Sequence, residues 1–420
     1  TRLLRARLAW PKLTPSAARG MSEDSGRGAA PEARGDQQLA FDLCWTLCRA
    51  LPLPTAPAGA AAALADELLR RAARLGDSKR LSRALSLDLG YRAREGWARK
   101  SEIARSAARA LALAAELGEE RLEAWAEIMT GEAWMLLGSW RRARLALERS
   151  EQILRARPEA EWERRRAEDL RLALLMKTGG AGREIDPLLA RAPEAIQRRY
   201  GWWRELCGDR PGRALDALGP SAGAESATVS YQRLVAETEI AIYRGDTYRA
   251  WHALEERWGA RVEPSLEASE MLRVEAWHLR GRAALAALAQ RPEGTDAPGL
   301  GKEADRAARA LERIGSPWSG AAALLVRSGL ESFRHEQRYG ALERLQRAEA
   351  RLGGLEMAQH AEAARLQRAA LKPSAVSPER RERATRKFAE LGVVEAQRMA
   401  DLLAPGGWRV DLPTGRGAVD

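Results

Sequence analysis

Cysteines are the first residues in this chain whose type and spacing could do chemistry. Cys44 and Cys48 lie four residues apart, so on a helix they share one face, and Cys207 is the third. Such thiols can bind zinc or exchange a disulfide, but zinc needs further ligands and no histidine is near in sequence. The odd number of cysteines argues against structural disulfides. The flanking Trp45 and Leu47 predict that the thiols belong to the apolar core.

Four histidines are the next candidates for ligands or general bases. They are His252, His278, His335 and His360. The sequence fixes no acid or cysteine partner near His252 or His278, and each of the two follows a tryptophan on a predicted helix. We therefore predict packed or half-exposed imidazoles rather than a catalytic base or a metal ligand.

Residues 299–303, with the sequence GLGKE, are the nearest match to a phosphate-binding loop. A true P-loop has a glycine five residues before the Gly-Lys pair and a Ser or Thr after it. Asp296 and Glu303 stand at those two positions. Prolines and glycines surround the stretch, so we predict a flexible loop without nucleotide binding.

Motifs of protein kinases are also missing from the sequence. The strand lysine, the His-Arg-Asp motif and the Asp-Phe-Gly motif that hold the base and magnesium do not occur. Carboxylates are numerous but are regularly spaced with arginine, and no acid/base couple stands out. The sequence thus predicts no catalytic residue, no metal site and no cofactor in this chain.

Helices are the elements that must position any site here. Ala, Leu, Arg and Glu dominate the 420 residues, while aromatic residues make up 5%, and no convincing strand is found. The net charge of +11 is spread along helices in which acids alternate with arginines, and only residues 380–387 are densely basic. This pattern argues against nucleic-acid binding.

The apolar residues are also too interrupted for a membrane protein. No apolar run approaches the roughly 20 residues that span a bilayer, and no signal-peptide core follows the first residues. We therefore expect no membrane contact and a cytoplasmic location. Because the chain opens on Thr1, we expect that a start is missing, that Met21 is the true start, or that the chain is the tail of a longer polypeptide.

Three segments can be distinguished along the chain. Residues 1–36 form a basic N-terminal piece and a Ser/Gly/Pro-rich linker, and a first helix is predicted over 39–51. Residues 37–370 alternate helices of about 12–20 residues with short turns. Residues 371–420 are predicted to hold one strong helix and a tail.

Several helices in the middle segment end in glycine, and the turns between helices repeat a pattern. Leu-Gly pairs at 75–76, 117–118 and 137–138 are typical of glycine C-caps. The segments LGSWRRA at 137–143 and RGDTYRA at 244–250 share glycine, a polar residue, an aromatic residue, arginine and alanine. A third copy at 333–341 keeps the aromatic residue and the alanine.

These segments resemble the tetratricopeptide repeat (TPR), a helix-turn-helix unit of about 34 residues with small residues at the helix crossing. Gly131 and Ala143 match the small crossing positions, Trp134 the aromatic one and Leu147 the large one. The other two copies match in part, with Thr238 where glycine is expected. The resemblance implies an all-α fold, a right-handed α-solenoid of TPR-like helical hairpins.

A second resemblance covers nearly the whole chain. Residues 41–45, 68–88 and 272–283, and the tail segments LGV at 391–393, RMA at 398–400 and LAPG at 403–406, carry it. They look like the C-terminal region of large bacterial serine/threonine protein kinases of the myxobacterial type. In those proteins a kinase domain and an ATPase-like module precede a TPR-like region. Glu395 and Ala396 replace the usual Asn-Pro pair.

The sequence therefore predicts a non-enzymatic interaction module, the sensing or scaffold arm of a kinase signalling protein. By resemblance to TPR grooves, Trp125, Glu132, Gln232 and Glu239 are expected at exposed positions of a concave groove for a protein or peptide. The sequence leaves the partner and the oligomeric state open. Alternatives are a free-standing adaptor, the sensor region of a TPR-bearing transcriptional regulator, and an α-helical hydrolase or transferase with a clustered polar pocket.

Overall fold

All regular structure that we describe is helical. The computed structural model describes residues 31–50, 58–220, 227–266, 269–291 and 294–409, and within these ranges it contains no strand. The all-α prediction is confirmed for this part of the chain. Residues 1–30 of the predicted N-terminal piece lie outside the described part of the chain.

Helices in the first half of the chain are short and follow one another closely. They are α1 (Pro31–Ala50), α2 (Ala58–Leu75), α3 (Ser78–Ala93), α4 (Lys100–Leu117), α5 (Glu120–Leu136), α6 (Trp140–Leu154), α7 (Glu161–Thr178), α8 (Gly182–Arg191), α9 (Glu194–Cys207) and α10 (Pro211–Leu218). In the second half they are α11 (Ala227–Arg244), α12 (Thr247–Arg257), α13 (Glu263–Leu266), α14 (Glu270–Gln290), α15 (Ala297–Ile314), α16 (Pro317–Glu331), α17 (Arg338–Gly354), α18 (Ala358–Leu371), α19 (Pro378–Glu390) and α20 (Ala396–Leu403).

Helix ends follow the local sequence. Gly76, Gly118 and Gly138 have φ values of +62°, +63° and +67°, a left-handed conformation that costs glycine little and other residues more. The three predicted glycine stops are therefore confirmed. At the start of α3 the side chain of Asp77 accepts hydrogen bonds from the backbone N–H groups of Lys79 and Arg80, as an N-cap does.

Helices α5 and α6 cross closely at a glycine. A Cβ atom on Gly131 would lie 2.9 Å from Cγ of Leu147 and 3.3 Å from the carbonyl oxygen of Ala143. The expectation that Gly131 allows close approach within this hairpin is thus confirmed. A Cβ on Gly329 of α16 would instead collide with the carbonyl oxygen of Pro405, so this glycine makes room for the C-terminal tail.

Each helix packs on its neighbours in sequence and often on the helix after next. The second kind of contact joins α3 to α5, α5 to α7, α7 to α9, α9 to α11, α11 to α13, α12 to α14, α14 to α16, and α18 to α20. A stack of helical hairpins makes such contacts. Most tryptophans of the described part are buried, and Trp202 and Trp203 are both buried although they are adjacent.

Helices far apart in sequence also touch. The rings of Trp140 on α6 and Trp318 on α16 lie 5.4 Å apart, edge to face. Between α3 and α4, the backbone N–H of Trp97 donates to Glu270 Oε1 at 3.1 Å. Lys177 at the end of α7 pairs with Glu275 on α14. Helices α6 and α7 and the α3–α4 connection thus contact α14 or α16.

Several local predictions were wrong. Helix α1 begins at Pro31, not near residue 39, so residues 31–36 are helical rather than linker. The glycine-rich stretch at 299–303 is helical too, since α15 begins at Ala297, where Pro298 suits the first turn of a helix. Proline and glycine near this stretch are typical of a loop, but they also fit the start of a helix.

The C-terminal region holds two helices, α19 and α20, where one was predicted, and the chain after α20 packs back onto α16. Trp408 is buried, and the backbone N–H of Gly407 donates to Ser332 Oγ at 2.7 Å. Residues 410–420 lie outside the described part. As far as residue 409, the tail is therefore part of the helical packing.

None of the helices in the described part has a segment long and apolar enough to cross a bilayer.

Candidate functional site

The four predicted groove residues were expected to be exposed, but three of them are buried and one is half-buried. Trp125 and Glu132 are 4% exposed, Glu239 is 8% exposed, and Gln232 is half-buried. The expected exposure is therefore wrong for Trp125, Glu132 and Glu239, because other helices cover the inner positions on which they lie. Whether any of the four contacts a partner stays a prediction.

Trp125 is held in a cluster of tryptophans from three helices. Its ring centroid lies 5.2 Å from that of Trp45 on α1, nearly edge to face, and 5.3 Å from that of Trp162 on α7. Trp125 also lines a cavity of about 340 Å³ together with Asp42, Arg83 and others. Its main contribution is thus to the packing between α1, α5 and α7.

Glu132 and Glu239 are each bound by an arginine, Glu132 by the half-buried Arg166 and Glu239 by the buried Arg282. Glu132 Oε1 accepts from Arg166 on α7 at 2.7 Å. Glu239 on α11 pairs with Arg282 on α14, and a second nitrogen of Arg282 donates to the carbonyl oxygen of Leu402 at 3.3 Å. Buried carboxylates need such partners, because an isolated charge in the interior is costly.

Arg282 belongs to a group that we call the inner polar cluster, formed where α7, α11, α14 and α18 meet. Its members are Lys177, Glu239, Glu275, His278, Arg282 and His360. Glu275, His278 and Arg282 follow one another at spacings of three and four residues, so they lie on one face of α14. Tertiary packing brings the other three side chains to that face.

Lys177 lies deep in this cluster but is not sealed. Its side chain keeps 28% of its surface accessible while it pairs with Glu275. Burial lowers the pKa of Lys177 to about 8, with Glu239 opposing and Arg282 adding to the effect. The amine therefore remains mostly protonated at pH 7, and part of the side chain stays in contact with solvent.

The two histidines of the cluster face each other as neutral imidazoles. His278 and His360 have ring centroids 5.9 Å apart. Burial, with the charges of Arg282 and Lys177, lowers the pKa of His360 to about 3 and that of His278 well below its usual value. The prediction of packed histidines is confirmed for His278, whereas His252 is exposed beside Tyr248.

A separate surface groove, which we call the arginine groove, lies between α15, α16, α17 and the α3–α4 connection. Its volume is about 710 Å³, within the usual range of ligand-binding clefts, about 300–1,000 Å³. Four arginines line it, namely Arg327, Arg344, Arg347 and Arg351. Trp97, Leu324 and Leu355 supply apolar surface in the same groove.

Two of these arginines form ion pairs with carboxylates, and the other two form none with a described residue. Arg327 binds Glu312 through two nitrogens at 3.0 and 3.1 Å, and Arg344 binds Glu331 at 2.8 Å. Arg347 and Arg351 are exposed and form no ion pair with any described residue. They lie one helical turn apart on α17, so their guanidinium groups are available to one ligand.

Sequence reasoning missed the arginine groove although a signal was present. Arg344, Arg347 and Arg351 recur at spacings of three and four residues, which places them on one side of α17. The charge averaged along the chain does not reveal this row of arginines, because acids on the neighbouring helices balance them in the sequence. The α15 and α16 positions that complete the groove are set by packing between helices.

The two cysteines whose side chains the structure describes, Cys44 and Cys207, are not activated as nucleophiles. Burial raises the pKa of the Cys207 thiol to about 12 and also raises that of Cys44. A thiol with a raised pKa is a weak nucleophile at neutral pH. Within the described ranges, no group of three His, Cys, Asp or Glu side chains is arranged to hold a metal ion.

No protein-family model matches the chain, and no curated protein matches it either.

Proposed function

We propose that this chain is a non-enzymatic protein-interaction module, a TPR-like stack of helical hairpins that binds an acidic peptide segment in the arginine groove. The resemblance to bacterial serine/threonine kinases supports a place as the sensing or scaffold arm of a kinase signalling protein. The close crossing at Gly131 and the contacts between every second helix support the TPR-like architecture of the proposal.

The arginine groove is the observation that carries the ligand class. Arg347 and Arg351 present two unpaired positive charges above an apolar surface that includes Leu324 and Leu355. Arginine binds carboxylates in a planar, two-pronged geometry, and a helical turn is a suitable spacing for two such contacts on one strand of peptide. The ligand that complements this surface is a segment with acidic and apolar side chains.

Fluorescence anisotropy with labelled peptides tests the proposal. The probes are an eight-residue peptide of alternating Glu and Leu and a matched peptide with Lys in place of Glu. We expect the acidic peptide to bind saturably and the peptide with Lys in place of Glu not to bind. The double substitution Arg347→Ala/Arg351→Ala should weaken it by about a hundredfold, because a charge-assisted hydrogen bond contributes about 1.5–3 kcal/mol.

The chain offers a matched control for this loss of charge. Arg105 and Arg109 on α4 are also exposed, four residues apart and without an ion pair to a described residue. Arg105→Ala/Arg109→Ala removes the same net charge and should leave the affinity within about twofold. Equal weakening in both variants, or equal binding of both peptides, would refute a specific site in the groove.

A further inference from the structure

The cavity that Trp125 lines is separate from the arginine groove. It has a volume of about 340 Å³ and is lined by side chains of α1, α3, α5, α7 and the α4–α5 connection; we call it the tryptophan cavity. This volume is near the lower end of the usual range for ligand sites, about 300–1,000 Å³, so it suits one small molecule. No residue lines both sites.

Two indole rings form the aromatic part of the lining. Trp45 and Trp125 both line the cavity, and their ring planes meet at 80°. Trp162 packs on Trp125 with ring centroids 5.3 Å apart, so three helices hold these rings in place. Aromatic rings favour edge-to-face or offset contacts with other rings. The lining therefore offers a fixed surface for a planar ring.

All three carboxylates of the lining are already in ion pairs. The pairs are Asp42 with Arg80 at 2.8 Å, Glu163 with Arg121 at 2.9 Å, and Glu119 with Lys79. A cationic ligand would have to displace one of these protein cations from its carboxylate. The cavity is therefore poorly suited to a cation, although tryptophans often bind cations elsewhere.

Two donors of the lining have no acceptor. Arg83 on α3 is half-buried and forms no ion pair with a described residue, and its guanidinium carbon lies 6.0 Å from the centroid of the Trp45 ring. The indole N–H of Trp125 is buried without a hydrogen-bond partner in the described part of the chain. Because a buried N–H is nearly always paired, the cavity needs a ligand that supplies an acceptor.

We propose that the tryptophan cavity binds a small aromatic carboxylic acid in its ionised form. The carboxylate accepts charge-assisted hydrogen bonds from the Arg83 guanidinium and is the acceptor that the Trp125 N–H lacks. The ring of the ligand packs against Trp45 and Trp125. This site does not depend on peptide binding in the arginine groove.

Indole NMR on the full chain tests the site directly. Protein labelled with ¹⁵N-tryptophan carries fourteen indole N–H groups, and the Trp125 signal is assigned by its loss in Trp125→Phe. Phenylacetate is titrated at pH 7 and constant ionic strength. We expect a saturable shift of the Trp125 signal. Trp140 is a reference with a buried, unpaired N–H outside this cavity, and Trp97 reports on the arginine groove.

Three related probes separate the contributions of charge and ring. Phenylacetamide lacks the charge and should bind about tenfold more weakly or less, because it forms no charge-assisted hydrogen bond. Acetate lacks the ring and should also bind more weakly, and benzyltrimethylammonium should cause no saturable shift.

Four outcomes of these titrations would overturn the proposal. They are the absence of a saturable Trp125 shift with phenylacetate, equal binding of phenylacetamide or acetate, saturable binding of the cation at Trp125, and a phenylacetate shift of Trp97 without one of Trp125. The last outcome would place the acid in the arginine groove.

An arginine substitution then tests the position of the carboxylate. Arg83→Met should weaken phenylacetate binding about tenfold or more, since it removes a charge-assisted hydrogen bond. Arg105→Met on α4 removes an exposed arginine without an ion pair to a described residue, and it should leave the affinity within about twofold. Circular dichroism confirms that each variant is folded. An unchanged affinity in folded R83M, or an equal loss in both variants, would refute a carboxylate site at Arg83.

Discussion

Glu239→Ala is the substitution that most directly distinguishes a structural carboxylate from a groove residue. The side chain of Glu239 is about one-tenth exposed and that of its partner Arg282 is 7% exposed. Removal of the carboxylate leaves the Arg282 guanidinium with its hydrogen bond to the Leu402 carbonyl but without a counter-charge. The variant therefore has an unpaired charge in the interior of the helical array.

The magnitude follows from the burial of both partners. Breaking a buried ion pair by removing one member costs about 3–5 kcal/mol of unfolding free energy, mostly because the other charge stays buried and unpaired. Replacing both members by apolar residues of similar volume is about neutral. Glu239→Ala should thus be far more destabilising than the double substitution Glu239→Leu/Arg282→Met.

Urea unfolding at pH 7 measures both variants. Circular dichroism at 222 nm and tryptophan fluorescence are followed together, because coincident transitions are needed before one free energy is assigned. Glu343→Ala on α17 removes an exposed carboxylate without an ion pair and should change stability by less than about 0.5 kcal/mol. A Glu239→Ala effect as small as this control would refute the buried pair and restore Glu239 as a solvated groove residue.

Two further predictions concern the helix crossing and the buried histidines. Gly131→Ala should lower the free energy of unfolding by about 1–3 kcal/mol, because its Cβ would lie 2.9 Å from Leu147; an unchanged urea midpoint would contradict the close crossing. The free energy of unfolding should also fall as pH drops from about 6.5 towards 3, by up to about 1.4 kcal/mol per pH unit for each histidine. In this range the unfolded chain binds protons, whereas His278 and His360 of the folded chain stay neutral. His360→Phe should flatten this profile and His252→Ala should not.

Local sequence was sufficient for the helices and much of their packing within hairpins. Gly76 and Gly118 stop helices because a residue without Cβ adopts positive φ at little cost, which depends on the residue itself. Gly131, Trp134 and Leu147 were identified from a pattern within one hairpin, and Trp134 and Leu147 are buried. These features depend on neighbours within about 20 residues, so a single sequence contains them.

Only the tertiary structure determines which side chains the helices bury against one another. Glu239 has the polarity of a surface residue. It can be buried because Arg282, 43 residues away, forms an ion pair with its carboxylate. Lys177 and Glu275 meet across 98 residues, and α15 and α16 complete the groove to which Arg347 and Arg351 contribute. The sequence indicated the all-α class, the glycine stops at 76, 118 and 138 and the close crossing at Gly131, but not the starts of α1 and α15 or the second C-terminal helix. The groove and the inner polar cluster come from packing between distant helices, where burial and charge depend on partners that local spacing does not specify.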